Sequence, residues 1–377
     1  MTRKLQSNTY NYMRPKSGLP KRKALKRKPI FEYGFKDNPN IKMYVNPTLI
    51  QSDKTEGYIK VISLFSGCGG LDLGFLGGFT FLNKKYQALP YRIVRAYDID
   101  EKATQTYALN LSNDVTTVDL TNIDIRSLSP ANILLGGFPC QDFSSCGHKK
   151  GFQGTRGELY TVMKDYMNIH KPEIVVGENV PFLEKLENGM FLRHIIKEFE
   201  SVGYMFKVWN IYCPDFGLPQ SRTRLFLIGV RSDIKSFPKP PTPELFFQYV
   251  SIDKAIGDIV EITDESITNQ TQYFVATKAT KGAGQGDHKS KQGEIAYTVR
   301  ANTKARVHFH YSLDRRLTVR ECARLQSFPD EFIFPHSASQ NLIEIGNAVP
   351  PIIGHLIAKQ IYEFININLS LMKEHAI

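Results

Sequence analysis

What most restricts the fold of this chain is a recurring pattern of short apolar, β-branched runs that stop at glycine or an acid. Tyr58 to Phe65 (YIKVISLF) meets a glycine-rich turn, Arg92 to Tyr97 (RIVRAY) ends at Asp98, Asn132 to Leu135 (NILL) ends at Gly136-Gly137, and Glu173 to Val176 (EIVV) ends at Gly177. Leu225 to Val230 (LFLIGV) is a further run of the same kind. Near-continuous apolar runs bounded by turn residues read as buried strands. Helix-like stretches such as Glu101 to Leu111 and Phe191 to Val202 lie between them. Strand and helix in alternation predict an α/β fold around a parallel sheet. In such sheets ligands bind beyond the carboxyl ends of the strands, where these glycines and acids fall.

The pattern weakens after Pro238. Lys239 to Glu244 (KPPTPE) reads as a linker, and residues 245 to 312 are polar and irregular, as in a separate, smaller domain. Regularity returns with a helical stretch, Leu317 to Ser327, and a final amphipathic helix, Ile352 to Ile365. Four segments are therefore expected: a basic flexible extension (1–55), an α/β domain (56–238), a smaller domain (239–336) and a C-terminal segment completing the α/β domain (337–377). No apolar run is long enough to span a bilayer, and the N-terminus lacks the apolar stretch of a secretory signal. The five cysteines, Cys68, Cys140, Cys146, Cys213 and Cys322, follow neither a disulfide framework nor zinc-site spacing, which fits a reducing cytoplasm and indicates no metal.

The net charge of +11 is concentrated at one end. Residues 1 to 28 carry ten basic residues and no acid, and removing them leaves 38 basic against 37 acidic residues. A tail of this kind either binds a polyanion through counterion release or merely solubilises the chain.

Four motifs carry chemistry. Phe65-Ser-Gly-Cys-Gly-Gly70 is a strand-to-helix turn whose glycines let backbone approach a nucleoside-like ligand. Asp72 occupies the third glycine position of the dinucleotide fingerprint, which disfavours a pyrophosphate and favours an uncharged linker such as that of S-adenosylmethionine. Asp98 is placed to bind ribose hydroxyls and Asp119, in Val118-Asp-Leu-Thr121, to accept from an adenine amino group; helix capping is the alternative for each. Gly136-Gly-Phe-Pro-Cys-Gln141 puts a cysteine directly after proline at a strand end. A free thiol has a pKa of about 8.5, so a nucleophilic Cys140 needs local help; a buried structural thiol is the alternative. Gly177-Glu-Asn-Val180 sets Glu178 at the same sheet edge. In Gln220-Ser-Arg-Thr-Arg224, alternate residues of an extended segment share a face, so Arg222 and Arg224 are expected to point together.

These motifs, in this order and followed by RRLTVRECARLQSFPD and GNAVP, resemble the cytosine-5 DNA methyltransferase family of prokaryotic restriction-modification systems. The resemblance runs from about residue 59 to 360 and is weakest between 240 and 290. It implies a doubly wound methyltransferase sheet with a smaller target-recognition domain across a cleft. It implies Cys140 as the nucleophile on carbon 6 of a cytosine flipped from double-stranded DNA, Glu178 as the acid holding the base, and Arg222 and Arg224 as its supports. It further implies an S-adenosylmethionine pocket made by Phe65, Gly67, Gly69, Gly70, Asp98, Ile99, Asp119, Leu120, Asn347 and Val349. Ile99 stands where family members carry an aromatic residue, so stacking on adenine is weaker. Gln141, Ser144, Gln285 and Thr298 are placed at DNA; Gln285, flanked by glycines, has the donor and acceptor needed to pair with the orphaned guanine. Residues 320–326 are expected to be structural. A monomer paired with a restriction endonuclease is the family-level expectation. A tRNA cytosine-5 methyltransferase on the same scaffold is the nearest alternative, but its Cys-Phe-Thr signature is missing; a catalytically silent DNA-binding relative is another, opposed by Cys140, Glu178 and Arg224 occurring together.

Overall fold

The computed structural model describes residues 57–139, 159–243, 248–260, 288–301 and 308–374. Its centre is a seven-stranded sheet built from β1 (Ile59–Leu64), β4 (Tyr91–Asp98), β5 (Val115–Thr117), β6 (Ile133–Gly136), β7 (Ile174–Asn179), β8 (Tyr204–Tyr212) and β9 (Thr223–Arg231), in the order β5-β4-β1-β6-β7-β9-β8. The first five of that order run parallel. The strand order reverses on either side of β1, so the crevice at its carboxyl end is a topological switch point. A small antiparallel hairpin, β2 (Phe79–Phe81) with β3 (Lys84–Tyr86), lies outside the sheet, as does the short pair β10 (His288–Lys289) and β11 (His308–Phe309).

Alternation along the strands divides the core in two, as the period of two requires. Val61, Ile133, Leu135, Ile174, Val176, Phe226 and Ile228 face one side, where α1 (Gly70–Leu76), α2 (Glu101–Asn110) and α8 (Pro351–Glu374) pack. Ile62, Leu64, Leu134, Val175, Leu225 and Leu227 face the other, covered by α3 (Tyr160–His170) and α4 (Met190–Glu200). Both faces are thus buried, which explains why these strands read as continuous apolar runs. α1 and α8 meet backbone to backbone: a Cβ on Gly74 would lie 2.6 Å from the Gly354 Cα, so a larger residue here would push the last helix off the sheet.

The sheet departs from the wholly parallel expectation at one edge. β9 is antiparallel to β7, with Ile174 opposite Val230, and β8 is antiparallel to β9. β8 had no counterpart among the expected strands, because Lys207 and Asn210 interrupt its apolar run. Described residues of the 239–336 range also reach the core of the sheet. α5 (Ile252–Ile256) and α6 (Val319–Leu325) share the first core with Val61 and Phe226, and Phe328, Phe332 and Phe334 form an aromatic cluster within it. The start of α6 is fixed by a capping box, Thr318 accepting from the Glu321 N–H and Glu321 from the Thr318 N–H, a device of about 1 kcal/mol. α7 (Ala338–Asn347) leads into α8.

Candidate active site

At the carboxyl end of β1 the chain turns sharply. Phe65 adopts φ 59°, an uncommon left-handed conformation for an aromatic residue, and Gly67 and Gly69 follow at φ 54° and 90°. Gly69 also has no room for a side chain, since a Cβ would lie 2.4 Å from Leu111 and 2.8 Å from the Tyr107 ring. The turn is stitched to the end of β4: Ser66 N–H donates to the Tyr97 carbonyl, and Gly67 N–H to Asp98 Oδ2 at 2.8 Å. The other Asp98 oxygen accepts the Asp100 N–H at 2.9 Å. Burial pushes the Asp98 carboxyl up, against the pull of these two N–H groups.

Around this turn lies a cavity of about 760 Å³. Of the residues expected to hold the cofactor, Phe65, Gly67, Gly70, Asp98, Ile99, Asp119, Asn347 and Val349 line it. Ile99 is 67% exposed at the rim, an aliphatic surface rather than a stacking ring. Asp119 lines the cavity, and it also caps the turn at Leu120–Asn122 by accepting from the Thr121 N–H at 3.0 Å and its hydroxyl at 2.8 Å. Those donors hold its carboxyl below the usual range. Two of the expected residues, Leu120 and Gly69, are not among those lining the cavity. Leu120 does not reach the cavity, its side chain being buried in the second core, and Gly69 shapes the turn from beneath.

The opposite wall is formed where β6 and β7 end. Gly137, Phe138 and Pro139 line it, and Asn179 Nδ2 donates to the Phe138 carbonyl at 3.0 Å, pinning the segment that runs into Cys140. Cys140, Gln141 and Ser144 lie outside the described residues, as do Gln285 and residues 1–56. Glu178 is buried on this wall; a Cβ on Gly137 would lie 3.6 Å from its Oε2, so the carboxylate sits directly against the Gly-Gly-Phe-Pro segment. Arg224 Nε bonds Glu178 Oε1 at 2.8 Å, the two side chains being only 12% and 11% exposed. Burial raises the Glu178 carboxyl more than Arg224 and Arg222 lower it. Three of the cysteines are excluded as thiolates: burial pushes Cys68 and Cys322 up and Cys213 to about 12.

Arg222 and Arg224 both act on the Glu178 charge, but Arg222 does not line the cavity. It is fully buried away from the cavity, donating to the carbonyls of Val299 at 3.0 Å, Gly346 at 3.0 Å and Ala348 at 2.9 Å. It therefore ties the segment before β9 to the polar region and to the end of α7. Gln220 works beside it, donating to the Leu325 carbonyl and accepting the Val299 N–H at 2.8 Å. The Thr298 hydroxyl donates to the Ser221 carbonyl, which places Thr298 in this same seam. Arg320 is buried and donates to the Pro329 and Phe332 carbonyls, in keeping with a structural role.

Two cavity groups were not found from sequence as site residues. Asp72 is fully buried, accepts from Ser63 Oγ at 2.8 Å and is pushed up to about 6 by burial. Glu344, in α7, is pushed up to about 7 by burial, against hydrogen bonds from Thr106 and Gln340. An isolated acid within an apolar helix face is the signal that could have revealed Glu344. Among the described residues, the charged groups of the lining are Asp72, Asp98, Asp100, Asp119, Glu178 and Glu344 against Arg224, and that arginine is paired with Glu178. Such a lining repels a pyrophosphate and suits a nucleoside cofactor bearing a sulfonium cation. S-adenosylmethionine fits these residues.

Fold and cavity together define an S-adenosylmethionine-dependent methyltransferase. Residues 59–363 match the C-5 cytosine-specific DNA methylases, and the chain belongs to that family. Among curated relatives, type II methyltransferase M.DsaV of Dactylococcopsis salina is 31% identical over 338 residues, covering 82% of this chain and 87% of that protein. Type II methyltransferase M.NgoFVII of Neisseria gonorrhoeae is 32% identical over 323 residues, covering 78% and 83%. The crystal structure of S. pombe Dnmt2 methyltransferase shares the fold, with a TM-score of 0.59 at 19% identity over 81% of this chain and 99% of that one.

Proposed function

We propose that this chain methylates carbon 5 of a cytosine flipped out of one specific double-stranded DNA sequence, with Cys140 as nucleophile and Glu178 as the group that holds the base. The observation that carries this reading is the buried Glu178–Arg224 pair, set against the segment that leads into Cys140. A carboxyl kept above its ordinary range by burial is suited to share a proton with a ring nitrogen of cytosine, and the adjacent guanidinium fixes its orientation. Attack of the Cys140 thiolate on carbon 6 makes an adduct whose charge falls at N3 and the amino group, where Glu178 stabilises it. When bound, S-adenosylmethionine supplies the electrophilic methyl group. Asp98 and Asp119 hold its ribose and adenine, and the turn at Phe65–Gly70 receives its linker. The flipped base leaves a gap that Gln285 fills, with Thr298 supporting that loop.

The relatives are type II methyltransferases, so we assign this enzyme the protection of host DNA from a cognate endonuclease, acting as a monomer in the cytoplasm and on the nucleoid. Among the described residues no helix is long and apolar enough to cross a membrane. Bisulfite sequencing of DNA from cells expressing the chain tests the reading. Protected cytosines in one short sequence context are expected; full conversion everywhere, with the protein present and folded, overturns it.

The basic tail adds nonspecific affinity in this reading. Deleting residues 1–28 is expected to leave the methylated sequence unchanged while flattening the dependence of log affinity on log salt by roughly 0.9 for each phosphate that the shortened chain leaves unneutralised. An unchanged slope, measured by DNA titration between low and physiological salt, leaves the tail a solubiliser.

A further inference from the structure

α7 forms part of the cavity wall, and it is joined to the acidic turn after β4 by the amide of Gln340. Gln340 Nε2 donates to Asp100 Oδ2 at 3.1 Å and to Glu344 Oε1 at 3.1 Å. Asp100 in turn caps α2, and its N–H donates to Asp98 Oδ1. A line of hydrogen bonds therefore runs from the Gly67 N–H through Asp98, Asp100 and Gln340 to Glu344, which Thr106 Oγ1 anchors at 2.7 Å. Asp98, Asp100 and Glu344 line the cavity, whereas Gln340 stands behind them.

We propose that Gln340 is a positioning residue for the cofactor, its neutral amide joining Asp100 to Glu344 and so fixing the Asp98–Asp100 turn against α7. The proposal rests on the reading of this cavity as the S-adenosylmethionine site. Two carboxyl groups bond one another directly only when one of them carries a proton, whereas a primary amide offers one N–H to each whether or not they are ionised. Both donors sit on one rigid plane, so the separation of the two acids is set by the amide itself. The residues sit at i and i+4 on α7, which brings Gln340 and Glu344 to one face.

The groups facing Glu344 come from three other elements. α2 contributes Thr106 and Lys102, and Asp100 stands at its cap. The β1 turn contributes Cys68, whose thiol lies 3.8 Å from the Glu344 carbonyl oxygen, with Asp98 beyond it. The segment before α7 contributes His336, whose Nε2 donates to the Lys102 carbonyl at 2.8 Å and lies 3.9 Å from Glu344 Oε1. Burial lowers His336 and raises Glu344, so the acids of this wall are managed by neutral donors more than by cations.

Cofactor titration of the full-length protein at pH 6 and pH 8 tests the proposal, with the wild type, Gln340→Ala and Gln340→Glu compared. Gln340→Ala is expected to weaken S-adenosylmethionine binding about tenfold, the worth of a lost charge-assisted hydrogen bond, with kcat at saturating cofactor within about twofold of wild type. Gln340→Glu places a third acid between the two. Its bridge exists while that carboxyl is protonated and is lost as pH rises, so binding should be about tenfold weaker at pH 8 and largely recovered at pH 6. Glu344 itself titrates in this window, so the recovery is read as the excess over the pH response of the wild type and Gln340→Ala, an excess that a packing role alone does not produce. Wild-type affinity in Gln340→Glu at pH 8, equal weakening at both pH values, or a kcat loss matching the KM rise in Gln340→Ala overturns the proposal. A wild type that binds no cofactor overturns instead the reading of the cavity, and is seen before any variant is compared.

Discussion

Cys140→Ala is expected to abolish methyl transfer to DNA, a loss of about 10⁴-fold or more, because the reaction then has no covalent route. Carbon 5 of cytosine is a weak nucleophile, and it becomes reactive only once a thiolate has added to carbon 6. The described cysteines cannot substitute for Cys140: Cys68, Cys213 and Cys322 are buried, with thiols raised above their ordinary range. Cys146 is the remaining thiol, and it follows Ser145 rather than a proline such as the Pro139 that precedes Cys140. DNA carrying 5-fluorocytosine separates a lost nucleophile from a lost fold. Fluorine cannot leave as a proton does, so the wild type should form a protein–DNA adduct stable to denaturation. The alanine variant should bind the same DNA and form no adduct. An adduct at wild-type yield would reassign the nucleophile, and Cys146→Ala in the same assay shows whether the assignment moves there.

The sequence made the cofactor side of the cavity legible because that side depends on local order. A strand that stops at a glycine or an acid places those residues at the sheet's carboxyl edge, and Phe65, Asp98 and Asp119 lie there. The double character of Asp119 was also visible, since an aspartate before a short turn is both a cap and an accessible carboxylate. Strand direction was not legible: periodicity fixes which residues face inward but is the same in either direction, so β9 could not be recognised as antiparallel. What alternation did not reveal is the use made of Arg222: both arginines act on Glu178, but Arg222, just ahead of β9, donates to the backbone carbonyls of Val299, Gly346 and Ala348, which lie far along the chain. Glu344 was hidden because one of its partners, Thr106, lies 238 residues away. The core role of α5 and α6 was masked by the polar sequence between them, although their own apolar residues reach the sheet.

Glu178→Gln carries the second large expected effect, a fall in kcat of about 10²–10⁴-fold, the range associated with a positioned general acid or base. The cofactor should still bind with near wild-type affinity, because Asp98, Asp100 and Glu344 keep their own hydrogen bonds on the opposite wall. Asp98→Ala should reverse the pattern, weakening the cofactor first, and equal cofactor loss in both variants would refute this division of the cavity. A stability measurement across pH isolates the buried carboxyl from the chemistry. The Glu178 carboxyl is raised above 4.5 in the folded protein by burial, so the folded state holds its proton more tightly than the unfolded chain. Linkage then makes the wild type lose stability as pH rises from about 4.5 through the folded value, and the glutamine variant has no such loss. The difference in Tm between variant and wild type should therefore move in the variant's favour between pH 4 and neutrality, whatever its sign at the start, since removal of the Arg224 pair acts separately. A difference that stays constant with pH would mean that folding leaves the Glu178 carboxyl unshifted, and one that moves in the wild type's favour would mean that Arg224 holds it ionised. The proton shared with the base would then have to come from elsewhere.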